Sequence, residues 1–559
     1  MRPVLRRAVL ATACLSALVL AGCGKHVDSN APITFAPADT PYLFANLQPV
    51  PTELTNAWAD AFNAGAQANA AQFGQLAKLV GDEHPDVAKI LTAMQAELAT
   101  AHTRKEVATA MGFPMTGLFA MYGIGDVPVM RTELASPDTF KAFWAKVQQR
   151  AGVSIPTASV GNQAYWLIGG NDAKVHVLVA VEGKQLVATL APADASPDML
   201  EQLLGLKKPT SNAAARLEKI NSEHGYSDYG SGYIDLPKLF ANAFDGKDAV
   251  TQEFAKDFGA APTNPACATE FASLASNVPM ASLGMTTYTP QEMRQSVDIK
   301  LSPSLLGALS ALKQPVAGMD AKSDDSMFDM VLALPLQKWQ AFIQDRAKVA
   351  AEKAYQCPAL QSLNKFAQTA ANPPVQMPPE AASLLGVRLV LDKWEPGPQF
   401  AGRVLVASSN PAELAQKVQQ TAPQFALKTI STDGKPVAFD LPPRMQVMLG
   451  GGNQGWIAAD SHSLAAGVGA GEDSMLANAL NAPAGNGDTM LRMHVDGKMY
   501  GVLASWFGRF AAMAPAKNQA DMQNVVTLFN RMSETIKAID MRVTLDHDGL
   551  HFEGDTQHR

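Results

Sequence analysis

Ser362-Leu-Asn-Lys365 sets a hydroxyl and an amine at the S-x-x-K spacing, in which a lysine can activate a serine nucleophile. Neither a K-T-G nor an S-D-N segment completes such a site, and 559 residues offer about one such match by chance. Gly450-Gly-Gly452-Asn-Gln-Gly455 satisfies G-x-G-x-x-G. A dinucleotide site needs a helix N-terminus after the glycines, and Trp456-Ile-Ala-Ala reads as a strand, so these glycines read as a loop. No H-E-x-x-H, G-x-S-x-G or P-loop occurs. His547 and His551 flank a late turn and His558 lies in the tail, without Cys or carboxylate partners at metal spacing; they read as solvated. The acidic pairs Asp324-Asp325 and Glu472-Asp473 read as a loop and a helix start, where negative charge is favourable. These residues assign no catalytic group, no cofactor and no metal. A hydrolase assembled from distant residues would need a Ser or carboxylates beside His176, His224, His462 or His494.

The four cysteines divide by position. Cys14 and Cys23 lie in the first 23 residues, leaving Cys267 and Cys357 in the body. In an oxidising compartment two such cysteines read as one disulfide, expected as a staple between two halves of the chain. A reactive thiol at a helix start is the other reading.

Arg2, Arg6 and Arg7 precede an apolar run, Ala8 to Leu20, too short to span a bilayer comfortably and ending in small residues. Leu20-Ala21-Gly22-Cys23 resembles the lipobox of bacterial lipoproteins. The resemblance implies cleavage between Gly22 and Cys23, diacylglycerol on the Cys23 thiol and acylation of the new amino terminus. It also implies a cell-envelope address facing the periplasm, and Gly24 after the cysteine favours the outer membrane. Several acyl chains anchor firmly, at about 0.8 kcal/mol per buried methylene. No other run is long and apolar enough to span, so none is expected in the mature chain.

A chain of 559 residues exceeds one ordinary domain, and with 47% hydrophobic and 17% charged residues it can bury sizeable cores. The formal charge of −7, without a basic run, argues against nucleic acid as the main partner, and none is expected. Residues 1–22 read as signal peptide and 23–40 as a lipidated tether carrying Pro32 and Pro37.

The body is organised around Val175 to Leu204: two apolar strands turning at Glu182-Gly183, then a helix opened by Ser196-Pro197. A weaker copy runs from Gly455 to Leu480. Around each copy the same order recurs: an opening strand (Tyr42 to Leu47; Met327 to Leu334), a helix with paired aromatics (Trp58 and Phe62; Trp339 and Phe342), a hairpin (Leu118 to Leu134; Ser383 to Ser408), and a capped helix (Ser136-Pro137; Asn410-Pro411). Ala158 to Ile168 reads as one further strand. Each half closes on a helix and a hairpin, Ser282 to Leu301 and Met541 to Phe552. The expected fold is α+β, with related halves at 41–310 and 326–557, each a mainly antiparallel sheet with helices packed on one face. The layout resembles uncharacterised duplicated envelope proteins, a family with no established activity. The expected function is non-enzymatic binding of an envelope protein or component. A carrier of an apolar ligand such as lipid is the first alternative, and the distant-residue hydrolase the second. Met111, Met115, Met121 and Met130 are candidates for adaptable apolar contacts.

Overall fold

The computed structural model describes residues 28–59, 73–81, 85–169, 173–245, 250–252, 264–322, 326–373, 377–395, 399–448, 454–513 and 516–559. The fold is α+β, and the chain divides into two compact units. The first comprises residues up to Pro290 together with Tyr355–Gln361; the second comprises Gln291–Ala354 and the residues from Ser362 onward.

The first unit contains β1 (Tyr42–Ala45), β2 (Phe119–Ile124), β3 (Val127–Glu133), β4 (Thr157–Val160), β5 (Gln163–Ile168), β6 (Val175–Glu182), β7 (Gln185–Pro192), β8 (Ser231–Ile234) and β9 (Met280–Tyr288). All their pairings are antiparallel, in the order β4-β5-β6-β7-β3-β2-β1-β8-β9. The second contains β10 (Glu292–Lys300), β11 (Phe328–Ala333), β12 (Leu384–Glu395), β13 (Gln399–Ser408), β14 (Val437–Asp440), β15 (Gln454–Ala459), β16 (Ser463–Val468), β17 (Thr489–Asp496), β18 (Ile536–Leu545) and β19 (Gly549–His558). Their order is β14-β15-β16-β13-β12-β11-β17-β18-β19-β10, again antiparallel throughout. The segment β6-β7-β3-β2-β1-β8-β9 of one sheet thus has the strand order of β15-β16-β13-β12-β11-β17-β18 in the other. In both, the opening strand lies between the hairpin after it and a strand contributed much later.

Helices cover both faces of each sheet at one end. In the first unit α1 (Pro85–Leu98), α2 (Arg104–Met111) and α3 (Pro137–Ala151) pack on Val177, Val179, Val181 and Leu186. On the opposite face α4 (Pro197–Leu204) and α5 (Ala214–His224) enclose Leu178, Ala180 and Val187. The second unit also contains α7 (Leu336–Glu352), α8 (Gln361–Ala371), α9 (Pro411–Thr421) and α10 (Glu472–Leu480), after α6 (Pro265–Ala275) of the first. There α9 covers Ile457, Ala459 and Leu464, while α10 covers Ala458, Ala465 and Leu405. A second helical layer thus joins the single one expected, because successive side chains of each apolar strand point to opposite faces and both sets need cover. The caps follow the sequence: the side chains of Ser136, Ser196 and Asn410 accept from Thr139, Met199 and Glu413 N–H, and Thr103 with Glu106 forms a full capping box.

Two expectations are corrected. The tether does not extend to residue 40: Pro32–Phe35 is a 3-10 helix whose Ile33 and Phe35 are buried beneath β2 and β3, with Arg131 3.6 Å over the Phe35 ring. Two apolar side chains sufficed to bring this proline-bearing segment into the core. The strand expected over Ala158 to Ile168 is the hairpin β4–β5, because Gly161 adopts φ 55° and reverses the chain. The helix expected from Trp58 to Val80 falls partly outside the described residues; the part before it, Thr52–Ala57, ends at Trp58, whose indole N–H donates to Thr289 O at 2.8 Å.

Helix α10 opens on Glu472, which is buried and accepts from Arg403 at 3.1 Å. Burial pushes its carboxyl up from 4.5 to about 7, against the pull of Arg403. A carboxyl with a raised pKa favours the folded state most when protonated. This contribution is complete below pH 4.5 and is lost as pH rises through 7. Glu472→Gln should therefore stabilise the protein at pH 8 by roughly 2 kcal/mol and change little at pH 4. Thermal melts at the two pH values check this; an equal effect at both contradicts it.

Candidate functional site

Residues directly opposite in an antiparallel pair share a face, so pairing defines which side chains lie together. Across the second sheet one row reads Val404, Leu389, Met330, Met493 and Met541 on β13, β12, β11, β17 and β18. The next row on that face reads Val406, Val387, Leu332, Leu491, Val543, Phe552 and Val297. At the β14–β16 end this face is under α9; further along it is open. Leu389 and Met541 are 42% exposed, Phe552 39%, Val297 38% and Val404 37%. Apolar groups left open in contiguous rows mark a binding surface, whereas scattered ones need no explanation.

The rim is aromatic. Trp394 lies opposite Phe400, two residues from Gly402, and so projects from the open face; its ring is 5.7 Å from Trp506. Trp506 belongs to α11 (Lys498–Met513), which packs with α12 (Ala516–Thr535) through Tyr500, Phe507 and Phe529. The first sheet carries an equivalent row, Ala188, Met130, Met121, Phe44, Gly232 and Leu283, in which Leu283 is 40% exposed.

The opposite face of the second sheet carries charges among apolar core residues, buried at Asp329, Arg388, Arg492, His494 and Asp555 and part-exposed at Asp540 and Arg542. Asp329, His494, Asp540, Asp555 and Arg294 are successive cross-strand partners, followed by Arg492, Arg542, Glu553 and Ser296 one row on. Asp329 accepts from Arg388 at 2.9 Å and Arg492 at 2.6 Å. Gly318, at φ 93°, lets the backbone approach the Arg388 guanidinium where a Cβ would collide. A pocket of about 230 Å³ opens here beside Lys322, Arg492, His494, Asp540, Arg542 and Asp555. Its lining mixes both signs of charge, so it is not an anion or cation trap by electrostatics alone. His494 Nδ1 is 2.8 Å from Asp540 Oδ1, and this hydrogen bond raises the imidazole pKa. Its Nε2 is buried, and no Ser, Thr or Cys is bonded to it among the described residues.

The other expected residues are dispersed. Gly22 and Cys23, Asp324-Asp325 and Gly450–Gly452 lie outside the described residues. Ser362 and Lys365 are exposed one turn apart on α8. His176 lies on β6, His224 stacks on Tyr226 at 5.2 Å and His462 occupies the β15–β16 turn. His547 is exposed, as expected. His551 instead binds Asp298 through Nδ1 and lies 2.8 Å from Asp546 through Nε2, because its strand turns it towards β10. Among the described residues no cluster of three His, Cys, Asp or Glu could hold a metal, and no helix is long and apolar enough to cross a membrane. Met111 and Met130 are core residues, and Met115 and Met121 are half-buried.

Cys267 and Cys357 are bonded. They do not staple the units together, since Tyr355–Gln361 belongs to the first unit. Both sulfurs are buried with Phe271 and Leu360, and Glu270 accepts the N–H groups of Gln356 and Cys357 at 2.7 and 3.0 Å.

Fold and site together define an α+β protein whose second sheet has one open apolar face and, opposite it, a face on which charged residues accompany a buried apolar core. No protein-family model and no curated protein matches the chain. Among solved structures, crystal form I of TP0453 aligns with 11% identity and TM-score 0.25, over 50% of this chain and 81% of that one. Crystal form III aligns with 12% identity and TM-score 0.24, over 52% and 89%.

Proposed function

We propose that this is a lipid-anchored, periplasm-facing envelope protein that acts by binding an apolar ligand or partner without turnover, and that its two units arose by internal duplication. The observation that carries the binding function is the open apolar face, Val404-Leu389-Met330-Met493-Met541 with Phe552 and Val297 beside it. Rows without a charge suit acyl chains or another apolar surface. Methionine supplies flexible, polarizable contacts for ligands of varied shape. The shared strand order supports duplication, and the lipobox-like Leu20-Ala-Gly-Cys23 supports the anchor and an outer-membrane address.

A pyrene-labelled fatty acid titrated into the full-length protein tests the binding function. Met541→Asp sets a carboxylate on the open face and should weaken binding at least about tenfold, while leaving the fold intact because the site is solvent-accessible. Equal binding by both proteins removes this face as the site. Palmitate labelling lost on Cys23→Ala is the result expected of the anchor.

A further inference from the structure

We infer that the aromatic edge of α11, at Trp506, Phe507 and Phe510, seats the second unit on an anionic phospholipid surface. The two helices of this pair stack half-buried Tyr500 and Phe529 on each other, yet leave Trp506 and Phe510 46% exposed and Phe507 39%. Leu528 and Val525 of α12 add further exposed apolar surface. Packing within the second unit therefore leaves this edge wet. Tryptophan and phenylalanine beside arginine suit the water–lipid boundary, where rings sit among the headgroups and a guanidinium reaches phosphate. Arg509 is exposed between Phe507 and Phe510.

Charge complements the same occupant. From Lys498 to Thr535 the sequence holds Lys498, Arg509, Lys517 and Arg531 against Asp521 and Glu534, a net charge of +2, although the whole chain carries −7. Anionic headgroups attract such a segment. The expected anchor supplies proximity. Four residues lie between Cys23 and Asp28, the first described residue, a reach of at most about 17 Å over five steps of the chain. A chain held so close meets lipid at high effective concentration, and a weak edge can then be occupied. The inference rests on the anchored-protein reading for that proximity but not on ligand binding at the sheet face.

Depth-dependent quenching tests it. Full-length lipidated protein is reconstituted into phosphatidylethanolamine–phosphatidylglycerol vesicles containing lipids brominated in their acyl chains. Tryptophan emission should be quenched, and Trp506→Phe should remove about half or more of that quenching. Phe510→Ser, at an exposed position, should reduce it in the same direction with unchanged circular dichroism. Quenching that is absent, or equal in wild type and both variants, overturns the proposal. So does a dimer in solution that shields Trp506 from aqueous iodide. Palmitate labelling of the same samples separates the two readings. Labelled protein without Trp506 quenching sinks the edge alone. Unlabelled protein whose Trp506 is quenched by added vesicles keeps the edge and sinks the anchor.

Discussion

Cys357→Ser should lower the stability of the oxidised protein by about 4 to 5 kcal/mol. The bond joins positions 90 residues apart, and closing a loop of that length removes entropy from the unfolded chain by this amount in the chain-entropy model. Losing the bond also frees Tyr355–Gln361, which otherwise rests on Glu270 through two backbone hydrogen bonds and on Phe271 through Leu360. Urea unfolding of wild type and variant without reductant measures the difference, and reductant added to wild type should reproduce it. A change below about 1 kcal/mol contradicts the prediction. Hydrogen exchange should locate the loss first in α6 and residues 355–361.

Asp329→Ala should cost a further 3 to 5 kcal/mol or so, this time in the second unit. The Asp329 carboxylate is buried on β11 between the guanidinium groups of Arg388 and Arg492. Burial alone would raise its pKa. The hydrogen bonds and charges of the two arginines outweigh burial and hold it below the ordinary carboxylate value. Removing the carboxylate leaves two buried cations facing each other. The sign with pH follows: the contribution is present above the ordinary aspartate pKa near 4 and is lost as pH falls through the depressed value. Denaturant unfolding at pH 7 and pH 3 should therefore show a large penalty at the first and a smaller one at the second. A penalty that grows towards pH 3 would show that the carboxylate does not hold the two arginines together.

Much of this architecture is legible in the chain. Ser136-Pro137, Ser196-Pro197 and Asn410-Pro411 announce their helices because a cap is a local arrangement. Glu182-Gly183 and Asp548-Gly549 announce their hairpins for the same reason. The alternation in Thr489–Asp496 separates Leu491, Met493 and Val495 from Arg492 and His494. Local pattern does not tell which of these faces is buried. The usual expectation keeps charge off the buried face, and here Asp329, Arg388 and Arg492 lie inside beside Val331 and Leu405 because the carboxylate bonds both guanidinium groups across strands distant in sequence. The open apolar face is not legible for that reason, and the methionines the sequence singles out, Met111, Met115, Met121 and Met130, belong to the first unit. The burial of Ile33 and Phe35 was missed because two prolines masked a short apolar pair.

The path of the chain between the units has a consequence for what proteolysis can do to it. It passes from the first unit to the second at Pro290, returns at Tyr355 and leaves again after Gln361, and Cys267 is bonded to Cys357 across that excursion. A single peptide-bond cleavage anywhere from residue 268 to residue 356 therefore cannot release either fragment. The nicked protein stays one covalent molecule, and on electrophoresis it separates into two bands only after reduction.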